Sequence, residues 1–571
     1  MIAYATPMKR LLPVVVLLLT ASSALAAETT ARYTVVLRSE SARERLPRVM
    51  TNSDEAAARQ VRTFHNINAF AANLTSSEVA ELRRSSDVES IQPVLRRSIN
   101  DVALAPATTN AGPGDVESNV SPFKTQHIPW GLEAIHARDV WPVTKGNASV
   151  NVAVLDTGID LNHPDLKQAY AGGVNLVDPT KPPQDDHKHG THVSGTIAAT
   201  DNTIGVVGIA PNVKIWAVKV LNGLGEGTDE NVALGIDWVV SRAKALGGRW
   251  VINMSLGAYE PSELEDAAVQ NAVANGVVVV AGAGNRGIAI LDFPAGYRNV
   301  IAVGATDEQN KRAGFSSYGP GMGVTAPGVN VASTLPEGTN TAADIEVAGQ
   351  IIDGWGLGGA PKGVVNGPFV YVGVGQPEDY PSNMAGKIAV SSRGVLQFRE
   401  KARNAKNAGA KALVIINSID DHDSVVNWSL IVRKCNENGC IIEPEWVDYE
   451  FPLTIGVSYA DGEKLRALSS NATARLEYRF EPYGLLDGTS MSTPHVAGAA
   501  ALLLSLAPET NVAEITHALE ATAKDLGTPG WDFDFSNGLV DVFAAAKYLK
   551  PSAFGLTQPP PITPGKRRSG H

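Results

Sequence analysis

The chain has 571 residues, enough for several folding units. With 44% hydrophobic and 19% charged residues it can bury a sizeable core, which excludes wholesale disorder. There are 48 Lys and Arg against 59 Asp and Glu, a net charge of −11; this excludes a strongly basic nucleic-acid footprint, so no nucleic-acid partner is expected.

Lys9-Arg10, an apolar run over residues 11–19 and Ala24-Leu25-Ala26 form the pattern of a secretory leader over residues 1–26. The run is too short to span a bilayer, and no later run reaches eighteen apolar residues. A secreted, extracellular protein without a stable membrane anchor is expected. Residues 32–37 (Arg-Tyr-Thr-Val-Val-Leu) and 88–94 read as strands, and 67–74 alternates like a half-buried one. Residues 56–61 and 76–84 read as helices, the second with a cap. Together they predict a small α+β domain over residues 27–97. Residues 98–124 lose periodicity and gather Pro, Gly, Asn and Ala, which predicts an exposed linker open to cleavage.

From Trp130 onward short apolar strands (150–155, 214–220, 250–254, 276–281 and 299–303) alternate with helical patterns such as 230–245 and 263–274. Strands apolar on every residue imply an α/β fold, a parallel sheet with helices on both faces. In such sheets functional groups collect at the carboxyl ends of the strands. Asp156 ends one strand and Asn285 follows another; His189 opens an apolar helix at 193–199, and Ser490 precedes the apolar run 496–507. Pro494 suits the first turn of that last helix, where its missing N–H is no loss. Each residue has a plainer use: Asp156 and Asn285 as turn residues, Ser490 as a cap, His189 and His192 as metal ligands with His187 or Asp186. As a set, a carboxylate, an imidazole, an amide and a hydroxyl are the parts of an acyl-transfer site. His192 and His495 read as helix-packing residues.

Between residues 336 and 483 the chain carries strand patterns at 386–393, 412–417 and 451–457 and helical patterns at 398–408 and 460–468. Cys435 and Cys440, the only cysteines, are expected to form a disulfide across a small turn, with a two-Cys metal site as the less favoured use because no His lies close. Residues 551–571 are Pro-rich and then basic, a flexible tail.

The motifs Asp156-Thr-Gly-Ile-Asp, His163-Pro-Asp-Leu, His189-Gly-Thr-His-Val-Ser-Gly, Ser255-Leu-Gly, Ala283-Gly-Asn and Gly488-Thr-Ser-Met-Ser-Thr-Pro-His resemble those of the subtilisin-like serine peptidases, in that family's Asp, His, Ser order. The resemblance implies a serine endopeptidase made as a zymogen, with Asp156, His189 and Ser490 as the triad. Asn285 and the Ser490 N–H would be the oxyanion donors. It makes residues 125–336 and 483–550 the catalytic domain and residues 27–97 an inhibitor-like propeptide. Residues 337–482 would be an inserted protease-associated domain. Ser255, Leu256, Gly257, Ala283 and Gly284 would flank the first specificity pocket. The segment 221–227, with Leu221, Gly223 and Gly225, would pair with an extended substrate. Asp292 near the pocket base would favour a basic side chain and Arg286 would oppose it. For Ca²⁺ the resemblance names Gln126, Asp165, Thr200, Asn202, Ile204 and Val206, all oxygen donors. The expected partners are protein and peptide substrates and the chain's own propeptide, and the enzyme is expected to be a monomer. A peptide ligase, or a silent peptide-binding protein, would carry much of the same machinery.

Overall fold

A computed structural model describes residues 29–42, 59–99, 123, 125–418, 428–431, 433–436, 439–442, 446, 449–468 and 472–561. The leader, residues 56–58 of the helix expected at 56–61, nearly all of the linker and the basic end of the tail lie outside the described residues. Residues 59–61 are not helical, 59 and 60 forming a turn.

Residues 29–99 begin with a four-stranded antiparallel sheet in the order Arg62–Thr63, Ala69–Leu74, Ala31–Leu37, Val88–Pro93. The helix Ser76–Leu82 opens with a reciprocal cap: the Glu78 N–H donates to the Thr75 hydroxyl, and the Thr75 N–H donates to the Glu78 carboxylate at 2.9 Å. Val35, Phe70, Leu74 and Val79 close a core of its own. The Ala69–Leu74 strand is buried almost throughout rather than alternating, because both of its faces are covered: Phe70, Ala72 and Leu74 lie in the unit's own core, and Ala69 joins the core built on the helices Asp229–Leu246 and Glu263–Ala274.

The central sheet has seven strands, all parallel, in the order Val324–Pro327, Ile301–Thr306, Val277–Gly282, Arg249–Met254, Val150–Asp156, Lys214–Lys219, Tyr170–Asn175. Alternation along one strand feeds two cores. Val152 and Val154 face the helices His189–Ala198 and Thr489–Leu506, while Ala153 and Leu155 face Asp229–Leu246 and Glu263–Ala274. Both faces are therefore covered, which is why these strands carry no polar alternation.

The insertion enters and leaves through an antiparallel pair, Val331–Thr334 with Tyr483–Leu486. Between them lies a closed seven-stranded barrel, from Thr341–Val347 to Thr473–Phe480, with the helices Phe398–Asn407 and Tyr459–Ala467. Trp428 stacks on Phe398 inside this unit. The strands Arg433–Asn436 and Gly439–Ile442 set Cys435 opposite Cys440; their side chains fall outside the described residues.

Candidate active site

Asp156 is the last residue of a strand buried on every position, and its carboxylate is wholly enclosed. His189 is the first residue of the helix His189–Ala198, and its Nδ1 lies 2.8 and 3.0 Å from the two Asp156 carboxylate oxygens. The helix can approach this closely because Gly190 has no side chain: a Cβ there would lie 2.1 Å from the Gly158 carbonyl oxygen. Asp185, which sequence reasoning missed, fixes the turn. Its buried carboxylate accepts from the Thr157 and Thr191 hydroxyls and from the N–H groups of His187, Lys188 and Thr191. Burial pushes Asp185 above the ordinary carboxylate range, and these donors oppose the shift.

Ser490 is the second residue of the buried helix Thr489–Leu506, and its hydroxyl donates to the Ser255 carbonyl at 3.2 Å. Pro494 lies in the second turn of this helix rather than the first. Its absent N–H leaves the Ser490 carbonyl without the usual i+4 donor, and the Ser255 hydroxyl donates there instead at 2.8 Å. Ser255 therefore grips the nucleophile candidate at both its hydroxyl and its carbonyl.

Asn285 follows the strand Val277–Gly282, and its Oδ1 accepts from both the N–H and the hydroxyl of Thr489 at 2.9 Å. With the oxygen held, the amide's remaining polar group is the Nδ2 donor. Thr489 is a second residue missed from the sequence, where it reads only as part of the motif around Ser490. Ser255, Leu256, Gly284, Asn285, Asp292 and Ser490 line one pocket; Ser255, Leu256 and Gly284 are among the residues named for the first specificity site, and Gly257 and Ala283 are not part of this lining. Ala283 is buried behind it. Asp292 and Arg286 do not act as separate charges: Arg286 Nε lies 3.1 Å from Asp292 Oδ1, and burial raises the Asp292 pKa against the pull of that guanidinium.

The end of the small N-terminal unit runs into the cleft. The strand Arg96–Ser98 pairs antiparallel with Glu226–Thr228, Ser98 exchanges hydrogen bonds with Gly257 at 2.9 and 3.3 Å, and the Ile99 N–H donates to the Gly225 carbonyl at 3.0 Å. Ser98 and Ile99, expected to begin a linker, thus lie along the cleft wall. Gly225, in the segment named for strand pairing, and Gly257, named for the pocket wall, both bond to this extended segment. Leu221 does not; it is buried with its N–H on the Asp156 carbonyl. Gly223 sits beside Asp186.

His192 and His495 are packing residues. His192 Nε2 meets the Val331 carbonyl at 2.9 Å, His495 Nδ1 meets the Met491 carbonyl at 2.8 Å, and burial lowers their pKa values to about 3 and about 4. Among the described residues no cluster of three or more His, Cys, Asp or Glu is placed to hold a metal, which disfavours a His189–His192 metal site.

The residues named for Ca²⁺ do converge. Gln126 Nε2 donates to the Thr200 carbonyl, Asn202 Nδ2 and the Val206 N–H donate to the Asp165 carboxylate, and the Ile204 N–H donates to Asn202 Oδ1. Asp165 is fully buried, with its pKa raised by that burial. One carboxylate among neutral oxygen donors is a set whose chemistry fits a hard cation.

Residues 147–350 and 444–538 match the profile of the Subtilase family, residues 365–465 that of the PA domain, and residues 14–98 that of Peptidase inhibitor I9. The alkaline protease of Alkalihalobacillus alcalophilus is 40% identical over 293 residues, 50% of this chain and 73% of that one. Subtilisin Savinase of Lederbergia lenta is 45% identical over 214 residues, 38% of this chain and 77% of that one. Subtilisin E of Bacillus subtilis (strain 168) is 38% identical over 290 residues, 50% and 68%. No helix among the described residues is long and apolar enough to cross a membrane. A subtilisin-like parallel sheet, an I9 propeptide, an inserted PA domain and this depth of identity make the chain a member of the subtilase family, a serine endopeptidase.

Proposed function

We propose that the chain is a secreted endopeptidase, made as a zymogen, which hydrolyses protein substrates through an acyl-enzyme on Ser490. The observation that carries this is the buried contact of His189 Nδ1 with both Asp156 oxygens, at 2.8 and 3.0 Å. With Nδ1 donating to Asp156, Nε2 is the basic nitrogen of the ring and takes the Ser490 proton as Oγ attacks the substrate carbonyl. The Ser490 hydroxyl gives up its resting bond to the Ser255 carbonyl in that step. Negative charge then develops on the carbonyl oxygen at the N-terminus of the Thr489–Leu506 helix, where the Ser490 N–H and Asn285 Nδ2 receive it. His189 returns the proton to the leaving amine, and water releases the acyl group by the same path. The mature protein, incubated with unfolded casein, is expected to cleave it and to be silenced by a serine-directed phosphonate. Absence of inhibitable cleavage would refute this reading.

In this reading residues 1–26 export the chain, residues 27–97 inhibit it until they are cut away, and the catalytic unit spans residues 125–336 and 483–550. Residues 337–482 form the inserted unit. Gln126, Asp165, Thr200, Asn202, Ile204 and Val206 would hold Ca²⁺, which would neutralise the buried Asp165 and tie residue 126 to the 200–206 loop. Cys435 and Cys440, opposite one another on paired strands, would close as a disulfide after export.

A further inference from the structure

The end of the N-terminal unit, residues 95–99, is the propeptide tail that lies in the cleft; its backbone is held by Glu226–Thr228, Gly225 and Gly257, but one of its side chains is held far more specifically. Arg97 is wholly buried, in contact with a Glu265 side chain that is equally enclosed. Its Nη2 lies 2.8 Å from Glu265 Oε2, and its Nε lies 3.1 and 3.3 Å from Oε2 and Oε1. The Tyr297 hydroxyl reaches the same carboxylate at 3.0 Å and so helps to orient it. Asp229 completes the acidic wall: it accepts the Ser262 hydroxyl at 2.7 Å and the Leu95 N–H at 2.9 Å. Its carboxyl is pushed up to about 6, chiefly by burial.

All four wall residues belong to the catalytic unit, so the pocket remains when the tail has gone. What leaves with the tail is the cation. A buried carboxylate that has lost its partner is strongly unfavourable, and the side chain that best replaces it is a second guanidinium, whose fork meets both carboxylate oxygens as a lysine ammonium does not.

The register gives the distance from this pocket to the reacting bond. Ser98 pairs antiparallel with Gly257. Two residues back along that wall is Ser255, whose carbonyl accepts the Ser490 hydroxyl. A substrate in the same register therefore has the residue two past the Ser98 position level with the nucleophile. The Arg97 position lies three residues before that one.

We propose that Glu265, supported by Tyr297, Ser262 and Asp229, forms a specificity pocket for a substrate arginine three residues before the residue that supplies the scissile carbonyl. The proposal rests on the endopeptidase reading above and names the substrate class of that site: polypeptides with an arginine at this place. An apolar side chain there would bury Glu265 against hydrocarbon.

The test uses the processed enzyme and quenched peptides that differ only at this position. Arginine is expected to exceed leucine in kcat/KM by at least about 100-fold, with lysine between them. The double variant Glu265→Leu with Arg97→Leu, in which tail and pocket still match, is expected to lose that preference and to cut the leucine peptide at least as well as the arginine one. A second measurement needs no variant: cleavage sites mapped in denatured protein by the wild-type enzyme should be enriched in arginine at this one position. Inhibitable cleavage with equal kcat/KM for arginine and leucine, or a flat map, overturns the pocket and leaves the endopeptidase standing. No inhibitable cleavage of any peptide overturns both.

Discussion

On the acid–base side of the centre the two working groups hold each other: His189 lies directly on Asp156, and Asp185 pins the turn that carries the imidazole. On the nucleophile side each group is held by a neighbour. Ser490 is held by Ser255, and Asn285 is held by Thr489. The difference follows from what each side must do. An imidazole needs one fixed tautomer throughout the reaction, so a permanent partner is an advantage. In the proposed mechanism the nucleophile and the oxyanion donor must turn to the substrate, so each has an anchor on a non-reacting atom, the Ser490 carbonyl and the Asn285 oxygen, while the Ser490 hydroxyl has the longer 3.2 Å bond to the Ser255 carbonyl that it gives up in the reaction.

The two sides can be separated by substitution. The largest effect expected is that of Ser490→Ala, about 10⁶-fold in turnover, the loss known for the subtilisin nucleophile. Asn285→Ala is expected to cost about 10²–10³-fold, again the magnitude known for subtilisin. The clean readout is the precursor's own first cleavage, a single turnover that trace contamination does not mask. Equal rates for the two folded variants would contradict the roles given to them.

Asp185→Asn tests the acid–base side. It puts an amide N–H₂ among five donors that now share a carboxylate, and it should destabilise the fold by about 2–4 kcal/mol in denaturant unfolding. Unchanged stability would remove Asp185 from the account. Ca²⁺ binding, away from both sides, is checked by melting with and without a chelator: a fall of several degrees is expected, and an unchanged Tm would argue against the site.

A buried neutral histidine stands behind each side, His192 on one helix and His495 on the other. Both have folded-state pKa values below the ordinary 6.5 or so, about 3 and about 4. Below pH ~6.5 the unfolded chain takes up protons that the folded chain refuses, so each histidine lowers stability as the pH falls from there towards its folded value. His495→Asn should therefore shrink the loss of stability between pH 7 and pH 5 by about 2 kcal/mol. An acid limb of unchanged depth would contradict the buried neutral state. The smallest effect belongs to Thr489→Val. Removing one of the two bonds on Asn285 Oδ1 should lower kcat by about 5–10-fold with little change in KM, whereas a purely structural threonine would move Tm and leave kcat alone.

Much of the catalytic unit was legible because its strands are buried on both faces and its motifs are short and local. The Tyr170–Asn175 strand was not. It lies at the sheet edge and contains Gly172 and Gly173, and a Cβ at Gly173 would lie 2.1 Å from the Ala217 carbonyl oxygen. The barrel strand Thr341–Val347 was hidden for another reason: it buries Asp344, whose charge is met by Arg479 from the neighbouring strand at 2.5 Å. In the site, Asp156, His189, Asn285 and Ser490 could be read because each belongs to a local motif. Asp185, Thr489 and Glu265 could not, because each acts through a partner fixed only by the fold. Pro494 shows the same limit: its missing N–H matters through Ser255, 239 residues earlier in the chain.

Ser490 is identified as the nucleophile, or excluded, by treating the processed protein with the serine-directed phosphonate and locating the adduct by mass spectrometry, in parallel with a His189→Ala variant. One adduct is expected, on Ser490, formed in step with loss of casein cleavage and far more slowly in the variant. An adduct on another serine, or cleavage that persists with Ser490 fully modified, would contradict that assignment.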